Sequence, residues 1–411
     1  MRLRLRGFSI VLTTLILAAC ASQQPTPPPV RILPISTNDA VFPAPSALQP
    51  QIVFWQNVYA VWGRGQVALH DDRYMDLIYA VLPLPGPVGE SYTAEQKAFL
   101  QDHYQNLKDL LRQVESKTAI NAPLTPAEQR LADFISSRYS RAALTGASDR
   151  LRSQRGLRER FKRGLEISGR YDTAFRAVFR EAGLPEDLAY LPHVESSFQN
   201  HASSSVGAAG MWQFMPSTAR QLMRLNAAVD ERRDPVISAQ GAARYLRSAH
   251  DRLDNWPLAI TSYNHGVGGM ARAKGEFGND IAAIVTNYSG KTFGFASRNF
   301  YTEFLAAREI ARNPQKFFPE GVAYEPPLNL DRIRLRQAVD APTLASYYEV
   351  NLGELIALNQ AWKSPAQSGQ RPLPEGTMVW LPAGTMIRLA QRGAASRVLV
   401  LAEPVSTARL R

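Results

Sequence analysis

A mainly α-helical fold with a small α+β module near its C-terminal end is predicted by three observations. Apolar residues recur at helical spacing through most of residues 51 to 315. Helix-start signatures punctuate that stretch: Thr93 with Gln96, Thr125-Pro126 with Glu128, and Asp234-Pro235. After a proline-rich run from Arg312 to Leu328, the pattern changes to strand, helix, helix, strand between about Ile333 and Pro382. With 411 residues, 45% of them hydrophobic, the chain has material for two or three domains.

Taken in order, residues 1–20 read as an address. Arg2, Arg4 and Arg6 precede a short apolar run, Phe8 to Leu17, too brief to span a bilayer. Leu17-Ala18-Ala19-Cys20 resembles the lipobox of bacterial lipoproteins, which implies lipidation at Cys20. Ala21 follows rather than Asp, so the expected home is the periplasmic face of the outer membrane. Cys20 is the only cysteine, so no internal disulfide can form and stability must come from packing. Residues 21–50, rich in Pro, Gln, Ser and Thr, are expected to be an extended tether. The formal net charge of +11 suits an anionic lipid surface. It would also suit nucleic acid, but an export signal argues against that partner.

Residues 51–160 read as an N-terminal helical region. Phe54, Trp55, Val58, Tyr59 and Trp62 fall on one helix face, and a packed core explains them better than a glycan-stacking surface. His70-Asp71 has the look of a buried polar contact or a turn, not an acid–base pair. The basic run Arg152 to Arg163 reads as a solvated helix face. Residues 316–330 read as a linker, 331–385 as the α+β module and 386–411 as a tail.

The stretch Leu184 to Thr218 carries the chemistry. Pro185, Glu186 and Asp187 open a helix whose far end holds Glu195, where the negative dipole end disfavours a carboxylate. Val194 and Phe198 add apolar surroundings, so the Glu195 pKa should rise. A carboxyl protonated near neutral pH is what a glycosidic general acid requires. Taken alone, a glutamate at a helix end is more often solvated than catalytic. The run Ser203 to Gly210 allows close backbone approach to a ligand, and Met211 to Phe214 offer apolar walls with one amide, Gln213.

Glu195-Ser196, then Gly210-Met211-Trp212-Gln213, then Ser262-Tyr263-Asn264 resemble the three ordered motifs of lytic transglycosylases. The wider run, with GLPEDLAYLPHVESSF, RRDP and GFASRNFY, is similar to the membrane-bound lytic murein transglycosylase D type. That resemblance implies a lysozyme-like (goose-type, SLT) catalytic domain over about 161–315, acting on peptidoglycan glycan strands. It implies Glu195 as acid and base, with Tyr263 donating a hydrogen bond to it. Ser196, Gly210, Met211, Gln213 and Asn264 would bind or shape the substrate site. The chain departs from the usual motifs at Met211-Trp212, where Leu is common at the first position, and at Ser262, where Ala is common. The C-terminal order is similar to a lysin motif, with a longer insert from Trp362 to Arg371.

No metal-ligand spacing appears among the six histidines, and no cofactor motif is present. Two other readings stay open. A hydrolytic muramidase would need a second carboxylate, such as Asp230, Glu231 or Asp254. A catalytically silent peptidoglycan-binding scaffold would need none. Protein partners are not legible.

Overall fold

A computed structural model describes residues 32, 34–391 and 401–405. The 1–20 segment with Cys20 lies outside the described residues, as does the first part of the expected tether. The rest of that tether is not extended. Phe42 and Leu48 are buried, Phe42 lying edge-on to Phe304 at 5.2 Å, and Asp39 pairs with Arg308 at 2.7 Å. Two apolar anchors outweigh a composition that otherwise suits a linker.

Helix α1 (Gln49–Gln56) runs into a π-helical turn at Asn57–Val61. Its aromatic stripe is core, as the spacing predicts: Phe54, Trp55 and Tyr59 are buried, and the Trp55 indole donates to Asn299 at 3.1 Å. The region that follows is less helical than expected. Strands β1 (Gln66–Asp71), β2 (Ile78–Pro83) and β3 (Leu151–Arg155) form an antiparallel sheet ordered β2-β1-β3. Helices α2 (Ala94–Ala119) and α3 (Pro126–Ser136) build a small core of their own against it through Leu111, Val114 and Ile135. Both carry the predicted capping boxes, Thr93 with Gln96 and Thr125 with Glu128. His70 is the expected buried contact, its ring 4.3 Å from Phe54.

The body comprises α4 (Arg158–Ser168), α5 (Asp172–Glu181), a 3-10 turn at Glu186–Tyr190, and α6 (Leu191–Glu195). It continues with α7 (Pro216–Leu222), α8 (Pro235–Leu253), α9 (Trp256–His265), α10 (Val267–Phe277), α11 (Ile281–Asn287), α12 (Phe295–Arg312) and α13 (Pro314–Phe317). Gly268 and Gly269 lie inside α10. One core joins α1, α4–α6, α8, α9 and α12, so it crosses the 160/161 boundary read from the sequence.

The basic run is partly solvated, with Arg152, Arg160 and Arg163 exposed, and it also holds a strap. Arg152 to Arg155 belong to β3; further on, Arg158 and Lys162 bind Glu320, and Arg163 and Arg170 grip Glu325. Phe317 and Phe318 are fully buried, and the Leu328 amide donates to the Arg170 carbonyl at 3.1 Å. The expected linker is therefore pinned along α4.

The C-terminal module shows the expected order: β4 (Leu330–Leu335), α14 (Ala341–Tyr348), α15 (Leu352–Leu358), the short α16 (Ser364–Gln367) and β5 (Met378–Pro382). The expected tail adds to it: α17 (Thr385–Gln391) follows, and β6 (Ala402–Pro404) pairs with β4 to give the order β5-β4-β6. The module is sewn to the body. Asp230 and Lys363 amides donate to Ala361 and Ala228 carbonyls. The Asn359 amide clamps both backbone groups of Trp380, and the Trp380 indole donates to Asp234 at 2.9 Å.

Asp234 also caps α8, its other oxygen accepting from Val236 and Ile237, and it lies 3.8 Å from the buried Arg332 guanidinium. Asp234→Asn keeps a cap but removes the charge facing Arg332. It should cost about 1.5–3 kcal/mol, read as a lower urea midpoint.

Candidate active site

Glu195 is the last residue of α6, as the sequence predicts, although the 3-10 turn replaces the first part of the expected helix. The chain then turns sharply. Ser197 and Phe198 both take left-handed backbone conformations, with φ of 53° and 59°. Two consecutive non-glycine residues in that region are costly, and such strain gathers at functional sites. Surrounding contacts hold it. Phe198 is buried against the His193 ring at 4.5 Å, and Gly164 of α4 backs the turn so closely that a Cβ would sit 2.9 Å from the Ser197 carbonyl oxygen.

The surroundings of Glu195 push its carboxyl up to about 8, chiefly by desolvation and secondarily by the nearby Glu303 carboxyl. No cation counters this. His193, two residues away, is buried among Phe161, Tyr190 and Phe198, and desolvation lowers its pKa to about 3, so it stays neutral.

Glu303 escaped the sequence reading. It lies on α12, one turn beyond Asn299, which holds Trp55, and Phe300, whose ring stacks on Tyr263 at 6.3 Å. That position places it between the α1 side and the α9 side, facing Glu195. Burial pushes its carboxyl up to about 8 as well. Tyr59, in the π-helical turn, feels both carboxyls, and Tyr263 feels Glu195; both phenols are raised well above their ordinary value, first by burial. Two carboxyls and two phenols from four separate elements therefore converge. Sequence order gives no hint of this, because a lone Glu in an amphipathic helix reads as solvated.

The remaining candidates are placed unevenly. Tyr263 is beside Glu195, yet its hydroxyl donates to the Trp212 carbonyl at 2.9 Å and not to the carboxyl. Ser196 is buried and donates to the Met211 carbonyl at 2.8 Å, so it ties two motifs together and is not offered to a sugar. Met211, Trp212 and Phe214 are core residues and not cleft walls; Trp212 packs 5.3 Å from Phe175. Gly210 has φ of +80° and presses against the Arg232 carbonyl. Gln213, also left-handed, donates its amide nitrogen to the Gly210 carbonyl at 2.7 Å. Asn264 is exposed, its side-chain oxygen accepting from Ser297 at 2.8 Å.

Two of the three carboxylates considered for a water-activating role are engaged elsewhere: Asp230 is held by Arg232, and Glu231 accepts from the Arg224 amide at 2.6 Å. Asp254 is exposed at the C-terminal end of α8, where its backbone amide donates to the His250 carbonyl. A separate cavity of about 80 Å³ between body and module, lined by Arg170, Asn200, Arg233 and Trp380 among others, contains none of the candidate residues. Among the described residues no cluster suited to a metal ion is found.

Comparison with known proteins gives a consistent set of likenesses. Residues 173–284 match the Transglycosylase SLT domain family. The chain is 27% identical over 195 residues to membrane-bound lytic murein transglycosylase D of Escherichia coli (strain K12), a match covering 47% of this chain and 43% of that protein. It is 35% identical over 128 residues to membrane-bound lytic murein transglycosylase F 2 of Alkalilimnicola ehrlichii, covering 29% of this chain and 27% of that one. The chain thus spans less than half the length of these curated relatives. Among solved structures, a lytic transglycosylase of Pseudomonas aeruginosa matches at 23% identity over 38% of this chain and 24% of its own, with a TM-score of 0.28.

Proposed function

From the premise that this chain carries a Transglycosylase SLT domain, we propose that it is a peptidoglycan lytic transglycosylase. It cleaves the β-1,4 bond between N-acetylmuramic acid and N-acetylglucosamine without consuming water. The observation that carries the reading is Glu195, a carboxyl raised to about 8 on a strained turn within that domain. Protonated at neutral pH, it gives its proton to the glycosidic oxygen as the bond to muramyl C1 breaks. The resulting carboxylate takes the proton of the muramyl C6 hydroxyl, whose oxygen bonds to C1. The products are a free N-acetylglucosamine hydroxyl and a 1,6-anhydromuramyl end. An attacking hydroxyl within the same sugar has a large effective concentration, so no protein nucleophile is needed.

Glu303 supports this over hydrolysis. A carboxyl raised to about 8 is mostly protonated at neutral pH and is no base for water. Tyr263 and Ser196 act by fixing the backbone around Glu195. Asn264 and the free oxygen of the Gln213 amide contact the glycan. Mass spectrometry of fragments released from purified peptidoglycan tests the proposal: anhydromuramyl ends are expected, and reducing muramyl ends would replace it with a hydrolytic muramidase.

The same geometry sets the pH dependence. Because an ionised Glu303 raises Glu195, Glu303→Gln should move the alkaline limb of kcat/KM, near pH 8 in the native chain, to lower pH. The acidic plateau should change little. A pH–rate profile that is merely scaled down would show a packing role instead.

The lipid anchor at Cys20 and the periplasmic face of the outer membrane belong to this proposal too. Among the described residues no helix is long and apolar enough to cross a membrane. The C-terminal module serves as a brace for the Arg232–Asp234 loop, with Trp380 turned toward the body.

A further inference from the structure

We infer that Arg232 is a positioning residue for the cleavage step: its guanidinium closes the loop Gly207–Phe214, whose carbonyls hold two side chains beside Glu195. This rests on the transglycosylase reading above, and its test separates the two. The loop is bent by three left-handed residues, Gly207 at φ of 91°, Gly210 at 80° and Gln213 at 47°. Glycines leave such a loop many alternative shapes, so contacts from outside it must fix one. Two of its carbonyls serve the neighbours of the catalytic carboxyl. Met211 accepts from the Ser196 hydroxyl at 2.8 Å, and Trp212 accepts from the Tyr263 hydroxyl at 2.9 Å. Ser196 follows Glu195 in the chain, and the Tyr263 phenol feels the Glu195 charge.

Arg232 clamps both ends of the loop. Its Nη1 donates to the Gly207 carbonyl at 2.7 Å and to the Phe214 carbonyl at 2.9 Å. Its Nε and Nη2 bind the two carboxylate oxygens of Asp230 at 2.9 and 2.8 Å. All three nitrogens of the fork are engaged, which leaves the planar group one orientation. The Arg232 carbonyl also abuts Gly210, so the residue meets the loop at both ends and near its middle. Asp230 is anchored in turn, its amide donating to the Ala361 carbonyl of the C-terminal module at 2.7 Å.

Stability alone is a poor reason for this arrangement. Arg232 and Asp230 are only 8% and 7% exposed. A buried ion pair adds little net stability, because desolvation offsets the attraction, but it does fix geometry. What it fixes here is the set of carbonyls on which Ser196 and Tyr263 rest. A shift of these by about 1 Å is enough to slow a positioned proton transfer by up to about 100-fold.

The test compares the full chain with two variants on uncrosslinked glycan strands. Asp230→Asn with Arg232→Met removes both charges together, so neither is left buried and alone. Its urea midpoint should stay close to native while kcat falls about 10- to 100-fold. The alkaline limb of kcat/KM, near pH 8 in the native chain, should also move to lower pH as water reaches Glu195. The groups facing that carboxyl, Glu303 on α12, Tyr59 in the π-helical turn and Tyr263 on α9, are untouched by the substitutions. Arg232→Lys, which keeps a cation opposite Asp230 but lacks the fork, should fall between native and the paired variant in both readouts. A paired variant with native kcat, or a pH profile merely scaled down, would overturn the inference. If the paired variant does not fold, Arg232→Lys decides: a native rate and profile overturn it. Hydrogen exchange gives a readout independent of cleavage. Amides of residues 203–214 should exchange faster in the variants while those of α12 do not change. That result upholds the clamp even if the native chain releases no anhydromuramyl ends, which would sink only the cleavage reading. Unchanged exchange sinks the clamp.

Discussion

Glu195→Gln should lower the rate of anhydromuramyl product formation by about 10³-fold, within the usual range for removing a general acid–base. The amide keeps the size of the carboxyl and its half-buried position, so the loss falls on proton transfer and not on folding. A stability measurement separates these. The native Glu195 has its pKa raised from 4.5 to about 8, so the folded state holds more protons than the unfolded one between those values. Stability from this group is therefore fully present below pH 4.5 and falls as pH rises toward 8. Glu195→Gln removes that slope: its melting temperature should vary less with pH, while its activity is lost at every pH. Activity within a few-fold of native would remove Glu195 from the mechanism.

Gly210→Ala should be the most damaging small substitution in the second motif. At φ of +80° a Cβ meets the Arg232 carbonyl oxygen at 1.9 Å. The left-handed conformation alone costs an alanine about 1–2 kcal/mol, and overpacking against backbone adds about 1–3 kcal/mol. A total of about 2–5 kcal/mol should appear in urea unfolding. The Arg232 segment cannot simply yield, because Arg232 is itself bound to the Gly207 and Phe214 carbonyls and to Asp230. Surviving folded protein should also lose activity, since Gly210 precedes the Met211 carbonyl that anchors Ser196 beside Glu195. An unchanged urea midpoint would show that the two segments are looser than this packing implies.

What the sequence revealed was mostly local. Thr93, Thr125 and Asp234 announce their helices because a cap and its partners lie within three residues. Glu195 was legible because a helix end and two apolar neighbours are enough to shift a carboxyl. The strands were hidden for physical reasons. Val67 to Asp71 are buried on both faces, so they lack alternation, and β3 carries two arginines in five residues. Glu303 was hidden because nothing in chain order brings α12 to α6 and α9. Ser196 and Tyr263 were found, but their partners were not: both bond to distant carbonyls, which only the tertiary fold supplies.

The packing of residues 39–59 on α12 bears on how the chain must fold. Trp55 bonds to Asn299, Tyr301 to the Pro43 carbonyl and Arg308 to Asp39, separations of 244, 258 and 269 residues. Closing loops of that length is entropically costly and slow, and the reward comes only when α12 is available. During synthesis the Trp55 side of this face therefore lacks its α12 partners, Phe295 and Asn299, until almost three quarters of the polypeptide has emerged. Any shorter nascent chain presents that face as a sticky surface, which a holding chaperone can shield and an unassisted chain can lose to aggregation.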